Sequence, residues 1–130
     1  MDISKYKFIK PDPTLSENLM SFGFECDEGW YKLIEDCFND IDLWIRNYNA
    51  ELYEDFRIVQ VKEKFGILTI YANYYPREIE TIIDYYSIKS QSTCEICGKE
   101  GRTLEKNRWY KTLCKKHAKE LGHHLLEKRI

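Results

Sequence analysis

Residues 94–118, with the sequence CEICGKEGRTLEKNRWYKTLCKKHA, contain three cysteines and one histidine in two pairs of equal spacing. Cys94 and Cys97 are separated by two residues, as are Cys114 and His117, and sixteen residues lie between the pairs. Zn²⁺ is held by four thiolate or imidazole ligands arranged as a tetrahedron. Two ligands with this spacing can reach one metal from a tight turn or from the first turn of a helix. The stretch therefore predicts one Zn²⁺ site, and its four protein ligands indicate a structural ion.

The residues around these ligands predict their backbone. Gly98 follows the second cysteine and permits the positive φ that a metal-binding turn requires. Arg102–Leu104 and Arg108–Leu113 are spaced as the arms of a short β-hairpin, and Cys114–His117 as the first turn of a helix. This order of turn, hairpin and helix is similar to that of a treble-clef zinc finger. We therefore expect residues 92–130 to form a zinc-binding unit.

Residues 1–91 are predicted to form an α+β body. Apolar residues in steps of three and four predict a long amphipathic helix over about 27–49, whose other face is acidic. Two β-branched, aromatic stretches predict an antiparallel hairpin over about 56–74, with a tight turn at Phe65-Gly66. A second apolar stripe after Pro76 predicts a helix over about 76–90, and the polar run 87–93 is typical of a linker. The predicted fold class is thus α+β, with amphipathic helices packed on a β-hairpin sheet and a C-terminal treble-clef-like zinc finger.

Composition limits the environment and the partners. The longest stretch without a charge is too short to cross a bilayer, and the N-terminus lacks an apolar signal segment. We therefore expect a cytoplasmic protein without membrane contact, in which five reduced cysteines serve as metal ligands or core residues. The net charge of −2 is unevenly divided, because residues 94–130 carry +5 and residues 1–93 carry −7. This division permits a local basic contact surface at the C-terminal end.

Four segments together resemble a family of small uncharacterised proteins of bacteriophages, prophages and bacteria. They are residues 29–33 (GWYKL), 60–68 (QVKEKFGIL), 94–101 (CEICGKEG) and 109–118 (WYKTLCKKHA). The resemblance covers roughly residues 20–120. It implies a phage accessory protein acting in the host cytoplasm, where such proteins often counter host defence.

The predicted function is binding without catalysis, in which the protein sequesters or inhibits a host protein or a nucleotide signal. The sequence offers no glycine-rich phosphate loop and no Ser/His/Asp set. Ten tyrosines and three tryptophans exceed what a small core needs, which favours an aromatic recognition surface. The candidate ligand-binding or partner-binding residues are Tyr71, Tyr74, Tyr75, Arg102, Arg108, Trp109, Tyr110 and Lys111.

The main alternative is a nucleic-acid-binding or transcription-linked zinc protein. Its phosphate contacts would come from the basic residues of the zinc unit. These are Lys99, Arg102, Lys106, Arg108, Lys111, Lys115, Lys116 and Lys119.

Two further alternatives are a structural docking module of a larger assembly and an HNH-type nuclease. Residues 112–118 (TLCKKHA) resemble the second zinc-binding segment of HNH nucleases. Those enzymes need a histidine on the hairpin as general base, and residues 104–109 (LEKNRW) contain none. The sequence leaves the oligomeric state open.

Overall fold

The protein folds as an α+β structure with three α-helices and two small sheets, as the sequence predicts. The computed structural model describes residues 3–10, 20 and 23–122, and so excludes the last eight residues of the predicted zinc unit. The helices are α1 (Tyr31–Tyr48), α2 (Arg77–Ser90) and α3 (Lys115–Glu120). The strands are β1 (Phe24–Glu25), β2 (Ile58–Lys64), β3 (Ile67–Ala72), β4 (Arg102–Lys106) and β5 (Trp109–Leu113). Short 3₁₀ turns occupy Lys7–Ile9, Glu28–Trp30 and Ala50–Tyr53.

The first sheet is built on the predicted hairpin. Strands β2 and β3 pair in antiparallel fashion, with Lys64 opposite Ile67 across the turn. Phe65 and Gly66 have φ values of 54° and 81°. Positive φ at both central residues is required by the common type I′ turn of two-residue hairpins. Strand β1, which the sequence pattern does not predict, pairs in parallel with β2 and places Phe24 opposite Val61. A two-residue strand is too short to show a periodic pattern.

One hydrophobic core joins the helices of the body to the sheet. Helix α1 packs against α2, and α2 packs against β3. The apolar stripe of α1 is buried as its spacing predicts, whereas Tyr48 at its end is 76% exposed. The largest fully buried side chains of this core are Trp30, Phe8, Phe38, Phe56, Ile34, Ile41, Ile45, Ile58, Leu68 and Ile79.

Half of the predicted linker belongs to α2. The helix continues to Ser90, whose side chain is fully buried. The Oγ atom of Ser90 accepts a hydrogen bond from the backbone N–H of Leu68 at 3.0 Å and donates one to the carbonyl of Ser87 at 2.6 Å. A polar residue is kept at this buried position because it satisfies a backbone donor of the sheet. Residues 87–90 of the polar run therefore lie within the helix, in agreement with the predicted bounds of about 76–90, and only residues 91–93 lie beyond it.

The zinc-unit hairpin has two differently occupied faces. Residues directly opposite in an antiparallel pair share a face, and faces alternate along each strand. Leu104 and Leu113 pack with Ala118 of α3 in a second small core. On the other face, Thr112 donates a hydrogen bond through Oγ1 to the carbonyl of Gly66 at 2.6 Å. The hairpin thus lies between α3 and the turn of the first sheet.

A second contact joins the metal-binding segment to the start of α1. The backbone N–H of Gly29 donates to the carbonyl of Glu95 at 2.7 Å, and the indole N–H of Trp30 donates to the carbonyl of Thr93 at 2.8 Å. A Cβ atom on Gly29 would overlap the carbonyl oxygens of Cys94 and Glu95. Glycine at position 29 is therefore required by close approach of two backbones.

Among the described residues, no helix has the length and apolarity needed to cross a bilayer.

Replacing Gly29 with Ala should test this contact. We expect the free energy of unfolding to fall by about 2–3 kcal/mol, because the obstructing atoms are backbone and cannot rotate away. Urea titration followed by circular dichroism measures the change, and an unaltered m-value would show that unfolding remains two-state. Glu28→Ala, at the exposed neighbouring residue, is the control and should change stability by less than about 0.5 kcal/mol. Equal stability of the two variants would contradict the close contact.

Candidate metal centre

Four side chains converge between the first turn of the zinc unit and α3. The Sγ atoms of Cys94, Cys97 and Cys114 and a ring nitrogen of His117 all lie within 4.8 Å of one another. These are the four ligands that the sequence predicts. Cys94 is fully buried, Cys97 is exposed, and the other two are half-buried, so the cluster lies at the edge of the small core.

The separations of these atoms fit a tetrahedral metal. Metal–sulfur bonds of about 2.3 Å and metal–nitrogen bonds of about 2.0–2.1 Å place sulfur atoms about 3.8 Å apart and sulfur and nitrogen about 3.6 Å apart. The Sγ atoms of Cys97 and Cys114 are 3.8 Å apart, and Sγ of Cys94 is 3.6 Å from Nδ1 of His117. The Sγ–Nδ1 distance between Cys114 and His117 is shorter, at 3.2 Å. The donors can therefore hold a metal if the distance between Sγ of Cys114 and Nδ1 of His117 lengthens slightly.

Backbone N–H groups favour the thiolate form of the ligands. The N–H of His117 donates to Sγ of Cys114 and, with further hydrogen bonds at this sulfur, lowers the pKa of the Cys114 thiol to about 6. Burial raises the pKa of Cys94, while N–H groups of Cys114, Cys97 and Ile96 act in the opposite direction. Gly98 closes the turn with a φ of 80° and packs against the carbonyl of Gly29. Metal binding at such a site needs no further deprotonation of Cys114 at neutral pH.

The two nitrogens of His117 have different neighbours. Nδ1 faces Cys94 and Cys114, whereas Nε2 lies 3.9 Å from a carboxylate oxygen of Glu120. Nδ1 is therefore the nitrogen placed to bind a metal. A carboxylate beside the other nitrogen of a metal-binding histidine orients the ring and makes it a stronger ligand.

Lys111 is used in an ion pair within the structure. Its Nζ atom lies 2.9 Å from Oε1 of Glu95, which is 2% exposed. The second carboxylate oxygen, Oε2, accepts a hydrogen bond from the backbone N–H of Asp27 at 3.1 Å. Lys111 is among the predicted ligand-binding residues, whereas the sequence assigns no role to Glu95. The ion pair joins the metal-binding turn to β5, and the bond from Asp27 joins the same carboxylate to the body.

A basic cleft of about 610 Å³ lies next to the metal ligands. Its cationic lining consists of Lys99, Arg102, Lys115 and Lys116. Glu100 is the acidic residue of the lining, so the cleft carries a net charge of +3. Within the described residues, none of the four cations forms an ion pair with a carboxylate. Arg102 is the one residue of the leading ligand-binding prediction that lines this cleft, and the three lysines belong to the phosphate contacts predicted for the nucleic-acid alternative.

The structure does not bring the predicted aromatic residues together in one surface. Tyr74 lies at the far end of β3, where its hydroxyl bonds to Asp55 and its ring contacts Phe56. Tyr75 binds the backbone N–H of Ala72 through its hydroxyl.

Tyr71 and the zinc-unit aromatics are separated in a similar way. The hydroxyl of Tyr71 accepts a bond from Lys64 at 3.4 Å. Tyr110 contacts the ring of Phe65 on the body side of the zinc-unit hairpin. Because faces alternate along β5, Trp109 lies on the opposite face from Tyr110. Arg108 occupies the β4–β5 turn with a φ of 68°.

Comparison of the chain with protein-family models, with curated proteins and with solved structures gave no match in any of the three. The site is therefore interpreted from its own chemistry.

Replacing Cys97 with Ser should remove the metal. A serine hydroxyl is a poor ligand at neutral pH, so we expect metal content measured by plasma mass spectrometry to fall from one ion per chain to near zero. Cys26→Ser is the matched control, because Cys26 lies outside the cluster, and it should keep one ion. Full occupancy in the Cys97 variant would show that the four residues do not form the site.

Thiol labelling should separate the ligands from the other cysteines. Burial, with the charges of Glu95 and Asp27, raises the pKa of Cys26 to about 12, and burial also raises the pKa of Cys37. At pH 8 only about one Cys26 thiol in ten thousand is ionised, so both thiols should react slowly. Addition of a strong chelator should release three fast-reacting thiols, which mass spectrometry should assign to the three cysteine ligands. Rapid reaction of all five cysteines before chelation would contradict this arrangement.

Proposed function

We propose that this protein is a non-enzymatic binding protein in which one structural Zn²⁺ holds a basic cleft that binds the phosphate groups of a ligand. The observation that carries the proposal is the cleft itself, where four cations and one carboxylate surround about 610 Å³ beside the metal ligands. The proposed ligand is a nucleic acid or a nucleotide signal of the host.

The donor set supports zinc as the metal. Three thiolates and one imidazole in a tetrahedral arrangement are typical of structural zinc sites. The four protein donors fill the coordination sphere and leave no position for a reactive water. This arrangement favours a structural role for the ion.

The chemistry of the cleft supports a phosphate-bearing ligand. Arg102 offers a guanidinium that can bind two phosphate oxygens at once, and the three lysines supply further positive charge. All four cations are exposed, so their attraction for an anion is weakened by salt. No aromatic side chain lines the cleft, so it offers charge and no stacking surface for a base. Such a site recognises phosphate groups without reading sequence.

The resemblance to phage and prophage proteins supports the biological setting. A phage protein acts in the host cytoplasm, where nucleic acids and nucleotide signals are both abundant phosphodiesters. Sequestration requires affinity without turnover, which agrees with a closed metal site. We propose that the protein withholds its ligand from the host and does not convert it.

Binding should depend on the cleft and on salt. We expect the metal-loaded full chain to bind fluorescently labelled nucleic acid with a dissociation constant of about 1–100 μM near 0.1 M salt, as non-specific phosphate contacts do. The logarithm of the affinity should fall with the logarithm of salt concentration, with a slope of about −0.7 to −0.9 for each phosphate contacted. Fluorescence anisotropy at several salt concentrations measures both quantities. An unlabelled cyclic dinucleotide added as a competitor distinguishes between the two proposed ligands, a nucleic acid and a nucleotide signal.

Charge reversal provides the matched comparison. Lys115→Glu with Lys116→Glu should weaken binding at least tenfold and make the salt slope shallower, because two phosphate contacts are lost. Lys5→Glu with Lys10→Glu makes the same charge change at exposed positions of the N-terminal segment and should have a much smaller effect. Metal content should stay at one ion in both. Equal weakening by the two variants, or no binding of any phosphodiester at low salt, would refute the cleft as the site, and the second result would favour a host protein as partner.

A further inference from the structure

A half-exposed tryptophan lies on the same face of the zinc-unit hairpin as α3. Trp109 is directly opposite Lys106 in the β4–β5 pairing, so the two side chains share a face. Lys106 reaches the carbonyl of Gly122 just after α3 through Nζ at 3.2 Å, which identifies this face as the α3 side. The indole of Trp109 is 52% exposed. A large aromatic surface is therefore presented at the C-terminal end of α3.

Positive charges connect this tryptophan to the basic cleft. On α3, Lys119 lies four residues after Lys115 and three residues after Lys116. The side chain of Lys119 is therefore next to both of them on the helix surface. Arg102 and Lys106 share the α3 face of β4 and are four residues apart, which corresponds to roughly 13 Å along a strand. We call this surface the basic track. It consists of Lys99, Arg102, Lys115, Lys116, Lys119 and Lys106.

Among the described residues of the body, the exposed ring of Tyr85 lies beside one lysine, Lys89, and not beside the cluster of cations that lines the cleft. Tyr48 and Tyr85 are more than half exposed, but both belong to the part of the chain that carries a net charge of −7. Phe65 and Tyr110 contact each other on the opposite face of the hairpin. Among the described residues, Trp109 is thus the exposed ring that shares a face with the cations of the zinc unit.

We infer that the basic track binds single-stranded nucleic acid, with the backbone along the cations and one unpaired base stacked on Trp109. This inference rests on the proposed function and selects one ligand class from it. The ring of a protein side chain can stack on a base only where the face of that base is uncovered. The bases inside a regular duplex are stacked on one another and have no uncovered face. The roughly 13 Å between the cleft and the tryptophan corresponds to about four nucleotides at a rise of ~3.4 Å, and to fewer in an extended strand. Cations along the backbone with an aromatic platform at one end are the usual means of binding single strands without sequence preference.

The test compares the metal-loaded full chain with variants on two probes, an oligodeoxythymidine of about twelve nucleotides and a duplex of the same length. The wild-type protein should bind the single strand about tenfold more tightly than the duplex. Trp109→Ala should lose about tenfold in affinity for the single strand and should bind the duplex as before, with an unchanged salt slope, because no phosphate contact is removed. Tyr85→Ala, which removes an exposed ring from α2, is the matched control and should change neither affinity.

Tryptophan fluorescence provides an independent measurement on the unaltered protein. Of the other two tryptophans, Trp30 is fully buried and Trp44 stacks on Tyr48 of α1, so saturating single strand should quench the emission of Trp109 above a constant background from those two. Trp109→Phe should abolish this quenching and retain most of the affinity, because phenylalanine also stacks. These results would stand even if the alanine variant failed to fold.

The possible outcomes separate this inference from the proposed function. Equal affinity for single strand and duplex, with no effect of Trp109→Ala and no quenching, would overturn the inference and leave phosphate binding by the cleft intact. If poly-glutamate competed as strongly as oligodeoxythymidine of the same total charge, that result would also overturn the inference. It would indicate an acidic protein as the partner. Absence of binding to every phosphodiester probe would refute the proposed function and the inference together.

Discussion

The carboxylate and backbone of Glu95 hold the metal-binding turn against the body. One carboxylate oxygen pairs with Lys111, the other accepts the N–H of Asp27, and the Glu95 carbonyl accepts the N–H of Gly29. The Glu95 side chain is 2% exposed, so its charge is almost fully removed from water. A buried carboxylate is tolerated only when partners replace its hydration, and loss of one partner typically costs about 3–5 kcal/mol. These contacts therefore require the two segments to meet in one arrangement.

The position of Glu95 would couple a bound metal to the stability of the body. Glu95 lies between two proposed ligands, Cys94 and Cys97, so binding of both thiolates to one metal would further restrain its backbone. Metal binding to a small unit can contribute on the order of 10 kcal/mol to folding. Through Glu95, and through the bond from Trp30 to the carbonyl of Thr93, part of that free energy also orders the start of α1. The two units predicted from the sequence thus share a polar contact. Loss of a bound metal should therefore lower the stability of both units.

The features that the sequence predicted are those encoded by neighbouring residues. The four ligands, the apolar stripe of α1 and the Phe65-Gly66 turn each depend on spacing within a few residues. The features it missed depend on partners far along the chain. Glu95 and the N–H of Asp27 are 68 residues apart in sequence, and nothing near either residue indicates the other. Buried polar residues such as Ser90 and Glu95 resemble solvent-exposed ones in a sequence, because only their distant partners distinguish them.

A bound Zn²⁺ would act on the proposed basic track by geometry more than by charge. Zn²⁺ with three thiolates would add −1 beside a cleft of +3, so the cleft stays positive when the metal is bound. Helix α3 has only six residues, and an isolated helix of that length is not stable in water. Cys114 immediately before α3 and His117 within its first turn tie the helix to the metal, while Lys115, Lys116 and Lys119 project from the same segment. Without the metal these lysines keep their charge but lose their common alignment. A surface that recognises phosphates by their spacing would then attract anions only weakly, which is why a closed structural ion can determine binding without contacting the ligand.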